Sequence, residues 1–149
     1  MNTKIQKSVL AGIIGTVIMT AVMMISAMIG MPKVSPPAML SGALGMPMFV
    51  GWIMHFMIGI VFAFAYTYLC IFKWKISKVY LKGAIFGVIA FVFAQIMMAI
   101  MGAMMRMPEV EGPMILKLIG GLMGHIIFGM AVAKTVGNAY CADKSCETN

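Results

Sequence analysis

Four long apolar runs constrain this chain more than any other feature. They cover about residues 9–30, 49–72, 83–105 and 114–136. Each is about 22–24 residues long, enough to cross a hydrocarbon core of about 30 Å with some tilt. None alternates with period two as a barrel strand does. Lipid offers no hydrogen bonds to a bare backbone, so each run must satisfy its own amides as a helix. Only 10% of the 149 residues are charged, where a soluble domain carries about 25%, so polar surface is too scarce to cover a globule in water. The fold expected is an all-α polytopic membrane four-helix bundle, forming a single transmembrane domain over residues 1–149.

The formal net charge is +7, yet the lysines do not form a nucleic-acid-binding stripe. They cluster at the ends of the apolar runs: Lys4 and Lys7 before the first, Lys73, Lys75, Lys78 and Lys82 between the second and third. The opposite loops carry Lys33 and Arg106, offset by Glu109 and Glu111. Short loops rich in Lys and Arg stay in the cytoplasm, which predicts both termini inside. Lys134 can snorkel to the same surface. Trp52 falls at the outer interface, and Trp74 and Tyr80 at the inner one, as an aromatic belt requires. The first run is too long for the apolar core of a secretory signal, about 7–15 residues, and reads as a retained helix. Cys70, Cys141 and Cys146 are odd in number and match no disulfide framework or metal spacing.

The chain repeats itself. Met31-Pro32-Lys33-Val34-Ser35-Pro36-Pro37-Ala38-Met39-Leu40 aligns with Met107-Pro108-Glu109-Val110-Glu111-Gly112-Pro113-Met114-Ile115-Leu116. Met, Pro, Val, Pro and Leu coincide, and the third place carries unlike charges. His55-Phe56-Met57-Ile58-Gly59 likewise matches His125-Ile126-Ile127-Phe128-Gly129. Between the two blocks the first copy is longer and contains Pro47. Two helices per copy make a parallel repeat about an axis along the membrane normal, with copies at about residues 8–73 and 82–140 and a cytoplasmic tail at 141–149. Gly83 with Gly87, Gly120 with Gly124 and Ala11 with Gly15 have the spacing of close helix packing.

His55 and His125 are the only histidines. Both lie inside apolar runs, where an ionisable side chain is costly and faces the bundle interior. They share one place in the repeat, on helices running the same way, so the repeat axis would set the imidazoles opposite each other. That arrangement suits a b-type haem with two axial imidazoles, serving electron transfer. The glycine four residues after each His would leave room for a macrocycle edge. Thr16, Thr20 and Gln95 are the expected hydrogen-bonding partners of the ring nitrogens. Equal depth requires the last helix to continue to about Tyr140. The alternative is that both imidazoles serve only as hydrogen-bonding groups between helices, duplicated with the repeat.

Twenty methionines raise a second chemistry. Met19 with Met23 and Met97 with Met101 lie four apart, on one helix face, and thioethers select Cu(I). Met-x-x-x-Met followed by Gly-x-x-x-Gly resembles eukaryotic high-affinity copper transporters. The likeness covers only those short motifs, since those proteins have three helices and a Met-rich amino terminus. Met is also a flexible apolar filler. No carboxylate lies in any apolar run, and no nucleophile elbow or phosphate loop is present, so catalysis finds no support. A third possibility is a cofactor-free accessory subunit of a membrane complex, or a homo-oligomer.

Gly12, Gly15-Thr16, Met19-Thr20, His55-Phe56, Gly59, Tyr66, His125 and Phe128-Gly129 together resemble a set of small four-helix bacterial inner-membrane proteins of unknown function. The likeness covers nearly the whole chain. It implies the fold and a bacterial inner membrane, and no established activity.

Overall fold

The computed structural model describes residues 3–69, 78–105 and 107–137. Cys70, Lys73, Trp74, Lys75, Arg106, Tyr140, Cys141 and Cys146 lie outside the described residues. Within them the chain forms five helices and no strand: α1 (Thr3–Met28), α2 (Pro36–Leu44), α3 (Met48–Leu69), α4 (Val79–Met104) and α5 (Met114–Val136). All but α2 are long and apolar enough to cross a membrane. The protein is therefore all-α, with the composition of a multi-pass membrane protein.

Besides α4, which begins at Val79, four residues before its apolar run, two features differ from the sequence expectation. α1 starts at Thr3 instead of near Val9, because Lys4, Gln6 and Lys7 are good helix formers and extend it one and a half turns beyond the apolar run. The other difference is α2, in a stretch expected to be loop. Pro36 and Pro37 occupy the first helical positions, where a missing N–H costs nothing and the fixed φ favours the helix. The helix stops at Gly45, in the left-handed region at φ 62°. There the Gly45 N–H donates to Gly42 O at 3.2 Å and the Met46 N–H to Ser41 O at 2.9 Å, a glycine-terminated helix end. Pro47 blocks any continuation, and the chain restarts as α3. After Pro113, by contrast, α5 runs unbroken to Val136. The stretch before α3 thus holds a short helix and a break that the stretch before α5 lacks.

The spanning helices pack antiparallel in a ring, α3–α1–α5–α4. Glycines set the close approaches. A Cβ on Gly12 would lie 2.5 Å from Ile60 Cα and 3.0 Å from Gly59 O, joining α1 to α3. A Cβ on Gly83 would lie 2.5 Å from Gly129 O and 2.6 Å from Met130 Cα, joining α4 to α5. Gly15 turns towards α5, meeting Phe128 and Val132. The ring closes between α3 and α4 through aromatic edges: Tyr66 on Phe86 at 5.1 Å and Phe62 on Phe93 at 5.7 Å between centroids. Gly120 joins no helix pair, since only Met31 Cε, at 3.8 Å, lies near its Cβ position. The expected Gly120–Gly124 seam therefore reduces to Gly124.

The packed core gathers at one end. Ala11, Tyr66, Phe86, Val132, Ala133 and Val136 are all buried there, among the first turns of α1 and α4 and the last turns of α3 and α5. At the other end α2 folds across the start of α3, so close that a Cβ on Gly51 would meet Pro37 O.

Candidate intramembrane site

His55 sits on α3 with 8% of its surface exposed. Its Nε2 lies 3.3 Å from Thr20 Oγ1 on α1. The Thr20 hydroxyl donates its single proton to Thr16 O at 2.8 Å, as threonine in a helix commonly does. The hydroxyl therefore accepts from His55, and the His55 proton resides on Nε2. Trp52, one turn earlier, meets the ring edge-on at 6.4 Å between centroids.

His125, on α5, is held differently. Its Nδ1 lies 2.7 Å from Gly121 O. A carbonyl only accepts, so Nδ1 carries the proton and Nε2 keeps a free lone pair in the neutral ring. The neighbour from α4 is Phe91, edge-on at 5.6 Å. One imidazole thus rests on a hydroxyl and the other on a phenyl ring.

Of the three expected hydrogen-bonding groups, only Thr20 reaches a ring. Thr16 Oγ1 is buried without a hydrogen-bond partner among the described residues. It sits over Gly59, where a Cβ would come within 1.9 Å of it. Gln95 lies on the exposed side of α4 and bonds neither imidazole. The glycines that follow each histidine do not leave space for a macrocycle edge: Thr16 fills the niche at Gly59, and Gly83 O with Gly87 fills that at Gly129. Their absent side chains serve helix contact instead.

The four candidate methionines divide. Met19 and Met23 pack against Gly124, the residue before His125. Met23 Sδ lies 3.3 Å and Met19 Cγ 3.5 Å from the Gly124 Cβ position, and Met19 is buried. Met97 is 42% exposed on α4, and Met101 is half-buried. No group of three His, Cys, Asp or Glu side chains gathers among the described residues.

One feature was not anticipated from sequence. The two matched loops meet at the end opposite the core and line a cleft of about 570 Å³, with Lys33 on one wall and Glu109 and Glu111 on the other. Both glutamates are exposed. Lys117 steadies this loop by donating from Nζ to Val110 O. The one sequence trace of the cleft was the matching Met-Pro-x-Val in both loops.

No curated protein and no solved structure matches the chain. A family model does match, over residues 2–144, nearly its whole length. The chain belongs to that family, DUF6789, a family of unknown function.

Proposed function

We propose that this protein holds a small soft cation, Cu(I), between α1 and α5, with Met19, Met23 and His125 as ligands. The observation that carries it is the packing of Met19 and Met23 on Gly124, the residue before His125, whose Nε2 carries no proton in the neutral ring. Soft thioethers and a neutral imidazole suit Cu(I). The charge argument agrees: no carboxylate lies in any span, and a monovalent ion is far less costly to hold in low dielectric than a divalent one. Met97, facing outward, is not required.

Anaerobic titration of the purified protein against a Cu(I) chelator tests this. One equivalent of Cu(I) should bind. Met19→Leu with Met23→Leu should weaken binding by about 100-fold or more, since near-isosteric leucine keeps the packing and removes both sulfurs. A wild-type protein that takes up no Cu(I) refutes the proposal.

A b-type haem between His55 and His125 is the second reading, for electron transfer. The like places of the two histidines, each four residues before a glycine, favour it. It requires the Thr20 bond to His55 to break and the helices to separate at Gly59 and Gly129. A Soret band with α and β bands that sharpen on dithionite reduction, lost in His55→Ala, would transfer the assignment to haem.

The reading includes a parallel duplication with both termini in the cytoplasm of a bacterial inner membrane. Gly12 stands to Gly59 and Ile60 as Gly83 stands to Gly129 and Met130, and each histidine precedes its glycine by four residues. Trp52 near the start of α3, Tyr80 at the start of α4 and exposed Lys134 in the last turn of α5 support the orientation. A carboxyl-terminal fusion should fluoresce with green fluorescent protein and lack activity with alkaline phosphatase. The opposite pattern inverts the topology.

A further inference from the structure

Gln95 is exposed on α4 and has no hydrogen-bond partner among the described residues. It lies nine residues before Met104, about 14 Å from that helix end at 1.5 Å per residue, well inside a hydrocarbon layer of about 30 Å. Its side chain is too short to reach either interface. A primary amide left in lipid forgoes every hydrogen bond it made in water. Something other than lipid must face it.

We propose that α4 pairs with α4 of a second copy, making a homodimer in the membrane with the two Gln95 amides bonded to each other across a two-fold axis. The amide is self-complementary, with a carbonyl acceptor and two N–H donors, so two copies related by a two-fold axis can exchange a pair of hydrogen bonds. The residues around it fit a helix seam. Val88, Val92, Gln95, Ala99 and Gly102 are all exposed, and their spacing alternates between four and three, the period of a left-handed helix pair. Ala99 and Gly102 allow two backbones to approach closely. A Cβ on Gly102 would meet only Met107 Cγ, at 3.6 Å, so no helix of the same chain uses that opening. Identical insertion of the two copies makes the helices parallel and puts the Gln95 amides at one depth. The proposal depends on the four spans alone and is independent of the metal reading.

Fluorescently labelled protein in liposomes, counted by single-molecule photobleaching over a range of protein-to-lipid ratios, provides the test. The wild type should dimerise, and Gln95→Leu should weaken the dimer by about tenfold. Gln95→Asn, which keeps the amide, should retain most of the affinity. Because Gln95 is exposed and makes no hydrogen bond to the described residues, Gln95→Leu should leave the helical circular dichroism unchanged. In a background of Cys70→Ser, Cys141→Ser and Cys146→Ser, Ala99→Cys should cross-link on mild oxidation. Ile89→Cys, exposed but off the seam, should not. A monomeric wild type at every ratio overturns the proposal, as does a dimer indifferent to Gln95→Leu or cross-linked equally through residue 89.

Discussion

Gly129→Val is expected to abolish the folded bundle. A Cβ at that position would fall 2.1 Å from Gly83 O and 2.7 Å from Gly87 N. Both are backbone atoms, so no rotamer change relieves the overlap, and α4 must move away from α5 along its length. Replacing glycine in a helix ordinarily gains up to about 1 kcal/mol in propensity when alanine enters, and less for valine. Overpacking costs about 1–3 kcal/mol where side chains can adjust, and more against rigid backbone. Total stability is only about 5–15 kcal/mol, so the clash dominates. Titration with sodium dodecyl sulfate, followed by circular dichroism and Trp52 fluorescence, should find no cooperative transition for Gly129→Val. Gly120→Ala on the same helix is the control. With only Met31 Cε nearby, it should unfold at or slightly above the wild-type midpoint. A stable Gly129→Val protein would mean that α4 and α5 are not in backbone contact. The matching contact between α1 and α3 predicts the same loss for Gly12→Val.

The second large effect concerns Gly59 and is reversible. Gly59→Ala places a methyl group 1.9 Å from Thr16 Oγ1, while Thr16 Cβ and Gly12 O stand off at 3.3 and 3.4 Å. One side-chain atom is therefore the main obstacle. The single substitution should cost about 2–3 kcal/mol, within the range for overpacking. Thr16→Ala alone should be nearly neutral, because the hydroxyl it removes is buried and unpaired. Together the two should recover to within about 1 kcal/mol of wild type, a coupling that a double-mutant cycle measures directly. Additive losses would show that Thr16 does not occupy the Gly59 niche.

The spans were legible because hydropathy in lipid is nearly a sufficient code: α5 begins and ends where its apolar run does. α2 was not legible, since Pro36-Pro37 punctuates a loop and opens a helix with equal ease, and only the later Gly45 and Pro47 decide. The histidines stood out by their cost in lipid. The partners of their rings were legible only in part, Thr20 among the three expected groups, because helix rotation is set by packing. Thr20 turned inward, whereas Gln95, no less polar, turned outward. The glycines after each histidine were recognised as space, but sequence cannot say what fills it. Here a neighbouring helix does.

The core end is dense and apolar, while the far end is divided by the cleft between two loops. Local opening follows the path of fewest buried contacts, so opening is expected to begin at the cleft end, and amides near Gly30 and Gly112 should exchange sooner than those near Val132. Met19 and Met23 lie along α1 between these two extremes. On the Cu(I) proposal, an ion bound for them would come from the cleft side, past Lys33 and the two glutamates.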